Sequence, residues 1–303
     1  MPIELLGMIA TTAGSETKAV DGPVVDPAYV KEFSRAHEEA GFDRILIGYS
    51  ASAPDGFAVA AAALHATDSL KVLIAHRPGF VAPTLVARKL ATLDHLTGGG
   101  RVAIHHISGG SEADQRRDGD FSEKSDRYRR TGEFIDVLRR TLTSEEPFDY
   151  EGDFYRFEGA FSAVKPATEA GIPIFFGGLS EGAVEVGANG ADVYMLFGEP
   201  LADVAGHIRT IRAAAAKAGR HVDFSLSTRP IIADTEEEAW AKADRIYAEA
   251  ADLKARATSG DTLTFASPRR REQRSLSADL LQQHAQRGDV HDERLWLGIT
   301  KLM

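Results

Sequence analysis

The chain has 303 residues, of which 43% are hydrophobic and 26% charged, enough to build a substantial core in one large α/β domain or two small ones. Its formal net charge of −10 argues against nucleic acid as a partner, because the phosphates would be repelled. The absence of cysteine excludes disulfides, cysteine metal sites and a catalytic thiol. The N-terminal segment MPIELLGMIATTAGSE does not resemble a signal peptide, and no segment reaches the roughly 18 apolar residues of a membrane span. We therefore expect a cytoplasmic protein.

Short apolar runs alternate with segments of helical periodicity along the chain. Runs such as VLIA and PIFF are apolar throughout, which is typical of parallel strands covered on both faces. This alternation predicts a parallel α/β fold that closes as a barrel, although no eighth strand is recognisable near the C-terminus. The predicted strands are Ile3–Ile9, Arg44–Ile47, Lys71–Ala75, Val102–Ile107, Ile174–Phe176, Asp192–Leu196 and Phe224–Ala233.

Several helices carry recognisable boundary residues. Asp26 is predicted to cap a helix that ends at Gly41, and Thr84 to cap another. Thr235 and Glu238 have the spacing of a capping box, so a third helix should begin there.

Two segments interrupt this pattern within what we expect to be a single domain over residues 1–303. Residues 109–165 are predicted to be an insertion with a helix at Ser125–Leu142 and a hairpin that turns at Glu151. Residues 251–303 carry the basic cluster PRRREQR and are predicted to form a mobile, lid-like segment with a truncated end. A solvated loop without a function would explain the same cluster more simply.

In a barrel of this kind, ligands bind at the carboxyl ends of the strands. His105 and His106 end the fourth predicted strand and point to opposite faces, so only one can face the barrel axis while the other packs under a helix. Neighbours on a strand cannot chelate one ion, and therefore no metal is expected. His76 and Arg77 end the third strand, where Arg77 could serve a ligand or form a salt bridge with a neighbouring loop.

Two further strand ends could bind an anion. Gly178 and Ser180 stand between a strand and a helix, where backbone N–H groups and the helix dipole suit a phosphate, although an ordinary tight turn would have the same sequence. The neighbouring Glu181 side chain would have to turn away. Arg229 interrupts the last predicted strand, and a buried guanidinium needs either a carboxylate or an anionic ligand.

The motifs in this order resemble the alkanesulfonate and dimethylsulfone monooxygenases of the bacterial luciferase-like superfamily. The resemblance spans most of residues 1–250 and implies a TIM-type (β/α)₈ barrel, here lacking the C-terminal eighth βα unit with which the family continues beyond LWLGITK. The matching segments are GFDRILIGY (41–49), AHRPGFVAPTLVARKLATLDHLTGG (75–99), HISGGSEADQRRDGD (106–120), DRYRRTGEF (126–134) and PIFFGGLSEGAVEVGANGADVY (173–194).

The resemblance also implies a cofactor, reduced FMN, supplied by a separate NAD(P)H-dependent flavin reductase, and a homodimer or homotetramer. It implies that seven residues bind this FMN, four at its phosphate and three near its ring. Those at the phosphate are Tyr128, Gly178, Leu179 and Ser180, and those near the ring are Ala75, His105 and Ser108.

The implied reaction uses O₂ to oxygenate a small anionic or polar organosulfur compound, an alkanesulfonate or a sulfone, releasing sulfite or sulfinate and an aldehyde. Arg229 takes the place of an active-site histidine of the family, so we expect it to bind a sulfonate or to stabilise negative charge, and Arg229→Ala to abolish turnover. His76 or His106 could move protons. A deazaflavin-dependent oxidoreductase and a non-catalytic flavin-binding paralogue remain alternatives. A phosphate-binding lyase or isomerase would need a lysine at a strand end, and none is convincing.

Overall fold

The core of the fold is a curled parallel sheet, and a separate two-stranded hairpin lies outside it. In chain order the strands are β1 Leu6–Ile9, β2 Arg44–Ile47, β3 Lys71–His76, β4 Val102–His106, β5 Phe148–Glu151, β6 Arg156–Ala160, β7 Ile174–Gly177, β8 Val193–Phe197 and β9 Asp223–Ser227. The parallel sheet has the order β1-β2-β3-β4-β7-β8-β9, and β5 pairs with β6. The computed structural model describes residues 3–15, 17–18, 20, 22–108, 111–258 and 276–302.

Helices follow most of the parallel strands and cover the outer face of the sheet. They are α1 Pro27–Glu39, α2 Gly56–Ala66, α3 Pro83–Leu96, α4 Glu112–Arg117, α5 Lys124–Thr143, α6 Glu181–Gly190, α7 Leu201–Lys217, α8 Glu236–Thr258 and α9 Leu276–Arg287. Within the described ranges, none of them combines the length and apolar character needed to span a lipid bilayer.

The two faces of the sheet have separate apolar clusters, because successive side chains of a strand point to opposite faces. The outer cluster joins strand residues such as Ile45, Ile74 and Ile104 to the helices. The inner cluster consists of Leu73, Ala103 and Phe175 with Leu6, Leu46, Val193 and Met195 packed against them. This alternation decides which side chains at the strand ends can face the barrel interior.

The expected TIM-type fold is confirmed, and the strands of the described residues fit a missing eighth βα unit. The described part of the chain contributes seven strands to the parallel sheet, whose two edges are β1 and β9. The predicted extent of the last strand is wrong, because β9 ends at Ser227 and does not continue to Ala233. Pro230, three residues beyond this end, has no N–H to donate to a strand ladder and so interrupts the predicted run.

Two of the three predicted helix caps are confirmed. The Asp26 carboxylate accepts hydrogen bonds from the N–H groups of Ala28 and Tyr29 at 2.9 and 3.1 Å. Thr235 and Glu238 form the reciprocal capping box, with both bonds at 3.2 Å. The third cap is wrong.

Helix α3 begins one residue before the predicted cap Thr84, at Pro83, and has Ala82 at its N-cap without a side-chain hydrogen bond. Proline suits the first helical position, since the N–H that it lacks would have no partner there.

The segment between β4 and β7 contains the predicted helix and hairpin, but the hairpin turn is longer than expected. The chain turns over the residues between Glu151 and Arg156, closed by a hydrogen bond from Gly152 N to Tyr155 O at 2.9 Å. The Glu133 carboxylate of α5 accepts bonds from the backbone N–H groups of Asp153 and Tyr155, at 2.8 and 3.1 Å. A side chain 20 residues away in sequence from Asp153 therefore organises the turn.

The segment 251–303 contains more regular structure than a lid-like loop. It begins with the end of α8, and after α9 come two short strands, β10 Val290–His291 and β11 Leu295–Trp296, and a 3₁₀ helix at Gly298–Leu302. The amide of Gln282 on α9 donates to the carbonyl of Thr300 at 2.6 Å, which ties α9 to the 3₁₀ helix. The basic cluster PRRREQR lies outside the described residues.

Candidate active site

The turn between β7 and α6 has a shape that only glycine permits. Gly178 has a φ of +133°, a conformation that side chains strongly disfavour. A Cβ atom at this position would also lie 2.8 Å from the Cβ of Ala183. The hydroxyl of Tyr194 donates to the carbonyl of Gly178 at 2.6 Å, which fixes the orientation of the peptide.

The side chain of Ser180, which follows this turn, has no hydrogen-bond partner. Ser180 is the N-cap residue of α6, yet its hydroxyl does not cap the helix, and its buried Oγ has no partner. The first N–H groups of an α-helix have no acceptors within the helix, and the helix dipole is positive at this end. Glu181 in the first turn is exposed, so its carboxylate can stay in solvent. These features together suit an anionic ligand.

Tyr128 of α5 lies beside the same turn. Its ring is 3.5 Å from the position that a Cβ would take at Gly182, and its hydroxyl is 3.6 Å from that position at Gly178. Burial raises the pKa of the neighbouring Tyr194 hydroxyl, and the proximity of Tyr128 raises it further. The structure thus brings together Tyr128 and the turn that carries Ser180, and these residues fit the phosphate of FMN.

At the carboxyl ends of the strands, which we call the barrel mouth, His105 is the inward-facing histidine. His105 pairs with Phe175 of the inner cluster and with Ala75 on β3, so all three face the interior. Burial lowers the pKa of His105 to about 4, although a hydrogen bond to the backbone of Phe175 acts in the opposite direction. The ring is therefore neutral at pH 7, and its buried Nδ1 has no partner.

Ser108 follows β4 at the barrel mouth and is half-buried. Its carbonyl accepts a hydrogen bond from the amide of the buried Gln115 at 2.8 Å, and its hydroxyl is 3.5 Å from that of Thr131. Gln115 belongs to α4, so this short helix positions the segment that carries Ser108.

His76 and His106 face the helices and not the barrel interior. They pair with each other across β3 and β4, and each ring centroid is 5.1 Å from that of Phe134 on α5. Both residues are buried, and none of their four ring nitrogens has a partner. Burial lowers the pKa of His76 to about 3 and that of His106 well below its ordinary value. Although both residues end their strands, their side chains point outward to the helices and not into the barrel interior, which disfavours the expected role in proton transfer.

Arg77, which follows β3, forms ion pairs with one carboxylate of α4 and with the carboxylate directly after that helix. Its side chain is 4% exposed and forms salt bridges with Asp114 and, at 3.4 Å, with Asp118. Its guanidinium lies 4.6 Å from the centroid of the Tyr49 ring, and the Tyr49 hydroxyl donates to Asp118 at 2.7 Å. Of the two roles left open for Arg77, the structure therefore shows the salt bridge.

Sequence reasoning overlooked a buried carboxylate beyond β8. The Glu199 side chain lies 3.1 Å from His207 of α7 and 3.8 Å from His284 of α9. The position of Glu199 in the segment GEP, directly after a strand, could have marked it as a candidate, but its partner His284 on α9 is distant in sequence. Among the residues that the structure describes, no group of three or more histidines and carboxylates is arranged to hold a metal ion.

Arg229 does not lie inside a strand or in the barrel interior, so that expectation is wrong. It lies two residues beyond the end of β9, is exposed, and has an interaction partner. Exposure removes the requirement for a buried counter-charge, which was one of the two grounds for its predicted role.

Comparison with known proteins agrees with this architecture. A family model for luciferase-like monooxygenases matches residues 4–303. The long-chain alkane monooxygenase LadA has a similar structure, with a TM-score of 0.73 and 16% identity over 98% of this chain and 77% of that one. For riboflavin lyase RcaE, solved with modified FMN and riboflavin, the TM-score is 0.72 and the identity 20%, over 82% of this chain and 67% of that one. For an F420-dependent secondary alcohol dehydrogenase, the TM-score is 0.63 and the identity 20%, over 75% of this chain and 68% of that one. Because the family match extends over almost all residues, the chain belongs to the luciferase-like family of flavin-dependent monooxygenases.

Proposed function

We propose that the chain binds reduced FMN with its phosphate in the turn between β7 and α6. The observation that carries this proposal is the buried Ser180 Oγ that has no partner at the positive end of α6. A phosphate there would accept bonds from Ser180, from the nearby Tyr128 hydroxyl and from the N–H groups of the turn, and hydrogen bonds to a charged acceptor are the strong ones. Glycine at position 178 lets the backbone approach such a ligand closely.

The inward-facing residues of the barrel mouth would hold the flavin ring. Reduced FMN supplies the two electrons with which one atom of O₂ enters the substrate and the other leaves as water. Ala75 offers a small, flat surface, and Ser108 offers a hydroxyl. His105, neutral at pH 7, offers Nδ1 as a hydrogen-bonding atom to the bound ring or substrate. The apolar inner cluster beneath them excludes water from the floor of the site.

The proposal also covers the substrate and the partners of the protein. The motifs shared with alkanesulfonate and dimethylsulfone monooxygenases support a small organosulfur substrate, with sulfite or sulfinate and an aldehyde as products. They also support delivery of reduced FMN by an NAD(P)H-dependent reductase, a homo-oligomer and a cytoplasmic location. Each of these belongs to the proposal.

Substrate-dependent oxygen consumption tests the proposal. The protein is mixed with a flavin reductase, NADH and FMN, and a panel of sulfonates and sulfones is added one at a time. We expect at least one compound to be oxygenated, with product detected by mass spectrometry and sulfite assay. A Ser180→Ala variant should lose most of this activity at limiting FMN, whereas Ser144→Ala, on the exposed end of α5, should keep it. Saturable FMN binding without any product would instead identify a non-catalytic flavin-binding protein.

A second candidate is hydride transfer with a deazaflavin, favoured by the structural likeness to an F420-dependent secondary alcohol dehydrogenase. Reduced F420 would then bind at the same mouth without consuming O₂. Parallel titrations with reduced FMN and reduced F420 in an oxygen electrode separate the two, since only the monooxygenase takes up O₂ with a substrate.

A further inference from the structure

The last part of the chain contacts the barrel beside the carboxyl end of β8. We call residues 276–302, from α9 to the 3₁₀ helix, the C-terminal unit. Glu199 lies two residues beyond β8, and its side chain is only 1% exposed. Its Oε2 is 3.1 Å from Nε2 of His207 on α7 and 3.8 Å from Nε2 of His284 on α9. One buried carboxylate therefore joins the strand end, α7 and the C-terminal unit.

Helix α7 contributes a second carboxylate to this junction. Asp203 and His207 are four residues apart on α7, so they lie on the same face of the helix. The Asp203 carboxylate is 3.7 Å from Nε2 of His284. An imidazole can pair with a carboxylate as a cation or as a neutral N–H donor. Because Glu199 is buried, removal of its partner His284 should matter more than the loss of an exposed pair would.

A further contact runs in the other direction, from the C-terminal unit to α7. The N-cap residue of α7 is Pro200, which makes no side-chain hydrogen bond to the helix. The carboxylate of Asp292 instead accepts a hydrogen bond from the N–H of Leu201 at 2.9 Å, at the positive end of the helix dipole. Asp292 has a φ of +48°, a conformation that persists only where the surrounding structure holds it.

Buried apolar side chains are few in the C-terminal unit. Within residues 276–302 they are Ala285 and Leu297. The unit is also linked to α8 by polar contacts, for example the exposed ion pair between Arg294 and Glu236 at 3.0 Å. A segment with few buried apolar contacts can open locally while the core of the protein stays folded. The contacts of Glu199 and Asp292 therefore carry much of the attachment to the barrel.

The junction lies close to the flavin site of the proposed function. Strand β8 is next to β7, which leads into the turn proposed to hold the phosphate. Given that flavin site, we propose that Glu199 is a positioning residue that holds the C-terminal unit against the barrel mouth, and that the docked unit retains bound FMN. Glu199 acts through His284 and does not itself contact the flavin. Loss of this contact opens the unit, leaves the barrel folded and lets FMN dissociate faster.

Hydrogen exchange of the ligand-free protein, followed by mass spectrometry, tests the attachment without any turnover. Glu199→Gln and His284→Gln should each make the amides of α9 exchange about ten-fold faster, whereas the amides of α3 should keep their rates. The double variant should exchange no faster than either single variant, because both substitutions break the same contact. Independent effects would instead multiply to about 100-fold. This comparison separates a specific pair from a general loosening of the structure.

Stopped-flow measurement of FMN release, followed by flavin fluorescence, tests the second half. Release should be about ten-fold faster in Glu199→Gln and in His284→Gln than in the wild type, while the urea midpoint of global unfolding is unchanged.

Asp223→Asn is the matched control. Asp223 also pairs with a histidine, His221, at 3.3 Å, but the two side chains are 55% and 78% exposed, and an exposed pair contributes little. This substitution should change neither the exchange of α9 nor the release of FMN. Unchanged exchange of α9 in Glu199→Gln, or effects that multiply in the double variant, would overturn the role of Glu199. Faster exchange with unchanged FMN release would overturn the role of the unit in retaining FMN.

Failure of the wild type to bind FMN has a different meaning. It would refute the proposed function and the flavin half of this inference, and the exchange of α9 in the ligand-free protein would still decide whether Glu199 holds the C-terminal unit.

Discussion

Acidification should destabilise the fold through the two buried histidines that face the helices. His76 and His106 lie in an apolar cluster with Phe134, and burial lowers the pKa of His76 from 6.5 to about 3. The folded chain therefore keeps this imidazole neutral at pH values where the unfolded chain protonates it. Stability from this source is fully present above pH 6.5 and is lost as the pH falls from 6.5 towards 3.

The size of the effect follows from the shift. Each pH unit within this window is worth about 1.4 kcal/mol per histidine, so His76 alone should remove about 2 kcal/mol from the free energy of unfolding by about pH 5. His106, whose pKa is also lowered by burial, adds to this loss. Such an amount is a large fraction of the roughly 5–15 kcal/mol that stabilises an ordinary domain.

Urea unfolding followed by circular dichroism, at a series of pH values from about 7.5 to 5, measures this loss. A His76→Leu, His106→Leu double variant is the control, because it keeps an apolar cluster at the same place and has no groups there to protonate. The free energy of unfolding of the wild type should fall more steeply with decreasing pH than that of the variant. Parallel curves for the two proteins would refute the reasoning.

Three substitutions test other parts of the structure. Gly178→Ala should abolish FMN binding and destabilise the fold by about 1 kcal/mol or more. Gly219→Ala, also at positive φ but with open space around it, should leave FMN binding intact. Equal effects of the two substitutions on FMN affinity would argue against a phosphate site in the turn between β7 and α6. Asp114→Asn should lower the free energy of unfolding, measured by denaturant titration, by about 3 kcal/mol, since the buried Arg77 loses one of its carboxylate partners. An unchanged midpoint of unfolding would contradict a stabilising role of this ion pair. Arg229→Ala should keep turnover in the oxygen electrode within about two-fold of the wild type, because the side chain is exposed beyond β9. The sequence alone predicted a loss of turnover, and a complete loss would restore the catalytic role of Arg229.

The positions of the strands and of the tight turn before α6 could be predicted because their signals are local. Apolar runs identified the strands, and a glycine followed by a serine before a helix predicted a tight turn that suits an anion. The resemblance to a known family added Tyr128, which the structure places against Gly178 and Gly182 although it lies on another helix. A sequence without that resemblance offers no local reason to select this tyrosine.

The direction of side chains at the strand ends was harder to predict. Alternation shows that His105 and His106 face opposite sides, but only the packing of Phe134 onto His106 shows which one faces out. The pairing of Arg77 with Asp114 joins residues 37 positions apart, and no local pattern encodes such a contact. Pro230 was a signal that the last strand is shorter than predicted, since proline cannot donate to a strand ladder.

The most direct test of the flavin site compares FMN with riboflavin, which is the same molecule without the phosphate. Fluorescence titrations of both ligands, in the wild type and in Ser180→Ala, isolate the contribution of the turn between β7 and α6. The account predicts that the wild type binds FMN at least ten-fold more tightly than riboflavin and that Ser180→Ala loses most of this preference while its riboflavin affinity is unchanged. Equal affinities of the wild type for FMN and riboflavin would contradict it.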